Sequence, residues 1–296
     1  YCTPDECDEC RFCNSCLDCC HELPEMWLIN TRCVPRCNNL DNGFERISFK
    51  RYDPKCGRFV TESRESFLAG AQTLLQKMPD AVPAGVVASI AGKSGVLPVP
   101  LEQHWFEYRP CPADRQQPFT IVWNHRWEYD KAPERLFAAL LIMHEAGEDF
   151  RVHVVGQQFR KQPPVFAAMY PRLQQHVGEW GMVASEQDYR LLLQRSHVVL
   201  TTALHEFQGL AVLEAMACGC IPLAPDRLAY PEYIPEACRY ASFPEDADTE
   251  SAVIAHQLQS LGKRFRHGVL PEVPGVENFS WKQLVPAYRA EINGLA

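Results

Sequence analysis

The sequence predicts an α/β fold organised on a parallel sheet, and three observations carry that prediction. From residue 118 onward, short apolar runs alternate with helical stretches, the pattern of strands joined by crossover helices. Val198–Thr202 reads as a buried strand. It leads into a loop holding Glu206 and then a helix from near Gly209, apolar at Leu210, Leu213 and Ala217. Gly219 closes that helix before the next short strand, Ile221–Leu223. The same unit occurs earlier: Phe119–Trp123 reads as a strand, the following loop holds Arg126 and Lys131, and Pro133 suits the first turn of a helix reaching about Gly147.

Length and composition bound the rest. At 296 residues the chain is long enough for two modest domains or one large one. A formal charge of -8 argues against a broad nucleic-acid-binding face, since phosphate binding needs clustered Lys and Arg. The stretch Gly262–His267 is locally basic, and a solvated helix end accounts for it. No apolar run is long enough to span a bilayer, and Tyr1–Asp5 lacks the basic start and apolar core of a signal peptide. A cytoplasmic setting is therefore expected, and the missing initiator Met suggests a fragment or a processed form.

Taken in order, residues 1–58 form a Cys-rich segment. Ten of the 14 cysteines lie in the first 56 residues, repeating as Cys-x2-Cys from Cys7 to Cys19. Zinc ligation, with Cys7, Cys10, Cys13 and Cys16 as candidates, a disulfide scaffold, and an appendage unrelated to the rest of the chain all fit that pattern. Asn38–Gly43 is turn chemistry and Phe44–Phe49 a short strand. Over residues 59–117, Phe59–Ser63 reads as a strand end and cap, Arg64–Lys77 as a helix and Ala81–Lys93 as a Pro- and Gly-rich connector. Ser94–Leu101 then reads as a strand and Glu102–Gln117 as a linker.

Residues 118–278 form the main domain, with further strands at Phe150–Gly156 and Val177–Gly181 and helices over Val165–Gln175 and from Ser185 to Ser196. His153 is most simply a strand residue facing polar surroundings. Cys218, Cys220 and Cys238 read as small buried hydrophobes. Asp246 and Asp248 have the Asp-x-Asp spacing of a metal–diphosphate site. They open the helix Thr249–Leu261, where acids favour the N-terminus, and the capping reading is the stronger. Residues 279–296 hold a closing helix.

The chemistry concentrates in the two strand-to-helix loops. Arg126 and Lys131 read either as solvated cations, the usual fate of such residues, or as a diphosphate clamp, Arg forking two oxygens and Lys acting as a point charge. Phe207, Gln208, Gly209 and Leu210 lead into a helix N-terminus whose N–H groups and dipole suit a phosphate. Glu206 and Glu214 lie too far apart for a pair flanking one bond. They read either as a helix cap and a solvated residue, or as acceptors for hydroxyls at two places on an extended ligand.

The run Glu206-Phe-Gln-Gly-Leu-Ala-Val-Leu-Glu214-Ala-Met-Ala-Cys-Gly-Cys-Ile-Pro222 resembles the donor-site signature of retaining glycosyltransferases of the GT-B type, glycosyltransferase family 4. Arg126 and Lys131 match that family's Arg and Lys in the corresponding loop, and this likeness favours the clamp over solvated cations. Trp123-x-His125-Arg126-Trp127-Glu128-x-Asp130-Lys131 and the segment Phe59–Leu101 resemble the family's tRNA-queuosine α-mannosyltransferase branch. The resemblance implies a GT-B-type α/β fold whose C-terminal Rossmann-like domain is complete, and whose N-terminal Rossmann-like domain is truncated or replaced by the Cys-rich segment. The closing helix would pack back across the first domain.

It further implies retaining transfer of mannose from GDP-mannose, the nucleotide sugar, to queuosine in tRNA-Asp. Glu206 would be the catalytic residue beside the donor sugar, binding its hydroxyls and shielding positive charge at the ring, Glu214 the ribose ligand, and no cofactor would be required for transfer. The alternatives are another family 4 transferase acting on a lipid or glycan, or a catalytically impaired sugar-nucleotide-binding protein. The family's first domain is longer and carries a His-Glu-Asn segment; the nearest match, His21-Glu22-Leu23, does not take over that role.

Overall fold

The computed structural model describes the strand residues 28–29, 32–33 and 49–50, and then residues 61–78, 82–107 and 117–293. The chain divides into two compact units, residues 1–99 and 100–296. In the first, β1 (Leu28–Ile29) pairs antiparallel with both β2 (Arg32–Cys33) and β3 (Phe49–Lys50). Two helices follow, α1 (Thr61–Lys77) and α2 (Val86–Lys93). Arg64 ties them together, its Nη2 donating to the Ala91 carbonyl at 2.7 Å and its Nε to the Ser94 carbonyl at 3.2 Å.

Two expectations are corrected by the structure. The supposed connector Ala81–Lys93 contains α2, which starts directly after Gly85 in the left-handed conformation (φ 77°). Ser94–Leu101 is not a strand. Pro98 and Pro100 lack the N–H a ladder needs, and only Leu101 makes a bridge, parallel to Ser280. Helix α1 also begins three residues before the expected Arg64.

The second unit holds a six-stranded parallel sheet: β4 (Phe119–Asn124), β5 (Phe150–Val155), β6 (Val177–Gly181), β7 (Val198–Leu200), β8 (Ile221–Pro225) and β9 (Arg239–Tyr240). Their spatial order is β6-β5-β4-β7-β8-β9. The strands β4, β7 and β8 are buried at every position, as a sheet covered on both faces requires. The covering helices are α3 (Pro133–Glu145), α4 (Val165–Leu173), α5 (Glu186–Gln194), α6 (Leu210–Ala217) and α7 (Ala247–His267), and α8 (Trp281–Asn293) follows.

Local chemistry sets these boundaries. Pro133 occupies the first turn of α3. Ser185 caps α5 by accepting from the Asp188 N–H at 3.1 Å. Asp246 caps α7 the same way at Thr249, so the Asp-x-Asp pair is helix-start chemistry. Helix α7 runs past the expected Leu261 to His267 because Phe265 is still buried there, and Gly268 (φ 68°) then ends it.

The strand order decides where a ligand can sit. Counting from β4, the chain builds outward through β5 and β6, then returns to the other side of β4 with β7. Strand connections therefore diverge between β4 and β7, the switch point at whose carboxyl ends α/β sheets bind ligands. The Arg126–Lys131 loop leaves β4 there, and the Glu206 loop leaves β7 there.

Candidate functional site

The two loops are laced to each other. The Asp130 carbonyl accepts from the Leu204 N–H at 2.8 Å, and the Lys131 carbonyl accepts from Thr202 Oγ1 at 2.7 Å. Trp123 Nε1 donates to the same Thr202 hydroxyl at 3.0 Å. Lys131 is buried and turns into the β7 loop. Its Nζ donates to the His205 carbonyl at 2.6 Å and to Glu206 Oε2 at 3.3 Å, and lies 3.1 Å from Asp130 Oδ2. Three oxygens thus meet the three donors of one ammonium, so Lys131 presents charge here rather than a spare N–H.

Arg126 is more open. Its guanidinium spans Glu128 at 3.0 Å and Asp130 Oδ2 at 3.4 Å, so Asp130 bridges the two cations. Burial pushes the Glu206 carboxyl up, but Lys131 and the Phe207 N–H at 3.0 Å outweigh it. The group is held below the usual carboxylate range and is ionised at neutral pH.

Beyond Glu206 the chain turns into α6 through Gly209, at φ 77°. A Cβ there would stand 2.5 Å from the Tyr233 hydroxyl, so both backbone and space require glycine. Tyr233 donates to the Gln208 carbonyl at 2.8 Å and pins the turn. The Val212 N–H closes onto the Gly209 carbonyl at 3.0 Å, and the N–H groups of Leu210 and Ala211 ahead of it have no acceptor within their own helix and lie at the positive end of its dipole. Glu214 lies further along α6, where Tyr189 of α5 donates to its Oε2 at 3.2 Å. Asn124, at the end of β4, donates to Tyr189 and to the Ala211 carbonyl, each at 2.8 Å. One sheet end therefore holds Arg126, Lys131, Glu206, the Phe207–Leu210 turn and Glu214.

Residues 107–261, more than half of the chain, match the family described as "Glycosyl transferases group 1". The chain belongs to that family. Residues 60–101 also match the description "tRNA-queuosine alpha-mannosyltransferase N-terminal". A Drosophila melanogaster tRNA-queuosine alpha-mannosyltransferase is 31% identical over 230 residues, which is 75% of this chain and 60% of that protein. A GDP-mannose-dependent alpha-(1-6)-phosphatidylinositol dimannoside mannosyltransferase from Mycobacterium tuberculosis is 26% identical over 69% of this chain and 54% of its own length. The chain thus spans little more than half the length of these relatives.

The fold agrees with the family. The crystal structure of a pneumococcal O-GlcNAc transferase with UDP and GlcNAc aligns at TM-score 0.52 and 14% identity, over 78% of this chain and 44% of that one. The GtfA/B complex aligns at 0.55 and 17%, over 80% and 44%. These neighbours are glycosyltransferases of the GT-B fold.

Sequence reasoning missed the groups that brace this site. Glu250 of α7 is fully buried between Arg227, which forks it at 2.7 and 2.9 Å, and Arg135 of α3, at 2.8 Å. Arg227 also donates to the carbonyls of Ala203 at 3.0 Å and Thr202 at 3.3 Å, steadying the chain ahead of Glu206. Asp130, Tyr189 and Tyr233 were missed as well. Asp130 was readable as a polar residue between the two cations, but the partners of all three were not.

The Cys218, Cys220 and Cys238 thiols are buried and free, burial pushing Cys218 up to about 12, so none of them is a ready thiolate. The candidate zinc ligands Cys7, Cys10, Cys13 and Cys16 lie outside the described residues, as does His21. Among the described residues, no cluster of His, Cys, Asp and Glu is placed to hold a metal ion, and no helix is long and apolar enough to cross a membrane.

Proposed function

We propose that this chain binds GDP-mannose and serves the retaining transfer of its mannose to queuosine in tRNA-Asp. The observation that carries the donor half is the meeting of Lys131 with Glu206 beside the Gly209 turn, at the switch point of the sheet. Support for the acceptor comes from the queuosine-transferase match at residues 60–101 and from the Drosophila relative. A tRNA acceptor fits a cytoplasmic setting.

Each residue then has a task set by its surroundings. Cleavage of the anomeric bond loads negative charge on the diphosphate. Arg126, Lys131 and the N–H groups around Gly209 and Leu210 stabilise that charge, with no metal needed for the purpose. Glu206, ionised beside Lys131, accepts from a donor-sugar hydroxyl and faces the positive charge that develops on the ring. Glu214, oriented by Tyr189, accepts from the ribose hydroxyls. Phe207 and Gln208 shape the turn between them.

The test is calorimetric titration of the chain with GDP and with GDP-mannose, followed by assay of labelled mannose transfer to tRNA with and without queuosine. Lys131→Ala and Arg126→Ala should each weaken GDP binding by about tenfold or more, the first by removing a buried positive charge and the second by removing a charge-assisted contact. Wild-type affinity in both variants would refute the clamp. Donor binding without transfer would mark a sugar-nucleotide-binding protein. Transfer only to a phosphoinositide or glycan acceptor would place the chain nearer its mycobacterial relative.

A further inference from the structure

Buried polar atoms normally find partners, and each exception calls for a cause. At the end of β4 and in the loop leaving it there are several: Asn124 Oδ1, His125 Nε2, Trp127 Nε1 and Asp130 Oδ1 are buried without a hydrogen-bond partner. Of these, Asp130 already bridges Arg126 and Lys131 through its other oxygen, whereas His125 is a ring set among the site's charges. Lys131, Glu206, Asp130 and Arg126 all act on its ring electrostatically.

Its position is not adjustable. The His125 carbonyl presses against Gly156 at the end of β5, where a Cβ would come within 1.9 Å of it. The ring stands edge-on to the buried Trp123, with centroids 5.0 Å apart. A side chain held this firmly, with one nitrogen left over, is preorganised for a ligand atom. By contrast, His197 and His153 engage the backbone through Nδ1, which accepts the Thr120 N–H and the Glu179 N–H respectively, each at 2.9 Å.

We propose, resting on the donor-site reading above, that His125 is a further donor-binding residue whose Nε2 hydrogen-bonds an oxygen of the sugar diphosphate. The ring acts as a neutral partner. Burial first, then Lys131, lowers its pKa to about 3, so it carries no charge in any physiological range. Recognition by a neutral imidazole makes affinity insensitive to the ordinary histidine titration, unlike recognition by an imidazolium.

The experiment titrates GDP and GDP-mannose into the full chain and into His125→Phe and His125→Gln. Phe keeps an aromatic ring of similar volume and removes the polar atom, so its affinity should fall about tenfold or more. Gln restores an N–H and should recover part of the loss. Equal losses for both ligands place the contact on the diphosphate, and a loss confined to GDP-mannose places it on a sugar hydroxyl. His125→Phe binding both ligands as the wild type does would overturn the proposal.

Should the Phe variant fail to fold, the 15N resonance of the His125 ring in the wild type decides. It should shift when GDP-mannose saturates the chain, and an unmoved resonance overturns the proposal. A wild-type chain that binds neither ligand would instead remove the donor-site reading on which this one rests.

Discussion

At the scale of a single residue, Gly209 shows how tightly the turn before α6 is specified. Its φ of 77° is a region that other residues enter only at a cost, and an added Cβ would displace the Tyr233 hydroxyl from 2.5 Å. Gly209→Ala should therefore lower stability by about 1–3 kcal/mol, the range for a strained backbone position. It should also weaken GDP binding, because the Tyr233–Gln208 bond that fixes the helix tip would be disturbed. Gly70 supplies the control. It lies inside α1 with nothing within 4 Å of an added Cβ, so Gly70→Ala should stabilise slightly, by up to about 1 kcal/mol. Chemical denaturation of both variants checks the contrast, and equal midpoints would refute the role given to Gly209.

At the scale of elements, the strand–loop–helix units were legible because each is written in contiguous sequence. Val198–Leu200 is β-branched and apolar, Leu210, Leu213 and Ala217 recur at helical spacing, and Gly219 (φ 97°) falls just past the helix end. The same locality explains the failures. Val86–Lys93 is preceded by Pro83 and Gly85, which read as breakers although Gly85 merely sits at the helix start. Ser94–Leu101 has strand composition, but a strand exists only with a partner, and that information is not in the segment. The Arg135–Glu250–Arg227 cluster was invisible for a related reason, since its members come from α3, α7 and the loop after β8. Each is an ordinary charged residue until the fold buries them together.

That cluster yields its own prediction. Glu250→Gln preserves shape but leaves two buried guanidinium groups facing a neutral amide. Breaking a buried ion pair from one side costs about 3–5 kcal/mol, so the urea midpoint should drop markedly. Because Arg227 also holds the Thr202 and Ala203 carbonyls, GDP affinity should fall although Glu250 lies outside the proposed donor contacts. A midpoint within error of the wild type would show that the arginines find other acceptors.

At the scale of the whole molecule, the buried histidines and carboxylates act on stability in one direction. His125 has its pKa lowered to about 3, and His153 and His197 theirs to about 4, burial being the largest cause in each. The Nδ1 atoms of His153 and His197 accept backbone N–H groups, a role that protonation would end. In the unfolded chain all three would titrate near 6.5, so as pH falls below that value the unfolded state takes up protons that the folded state refuses. The histidine contribution is thus fully present above about pH 6.5 and declines as the pH drops toward 3–4. Glu206 and Glu250 add to the decline later, because their lowered carboxyls keep stabilising until the pH falls below their ordinary value of 4.5.

The histidines therefore set the first part of the slope and the carboxylates the second. From the separation of folded and unfolded values, His125 alone accounts for about 2 kcal/mol between pH 7 and pH 5. Denaturant unfolding at those two pH values should show the loss, and His125→Phe should remove a corresponding share of the pH dependence whatever its stability at pH 7. A wild-type stability that is flat from pH 7 to pH 5 would mean that these rings can take up a proton without leaving their places, and that the end of β4 is open to water.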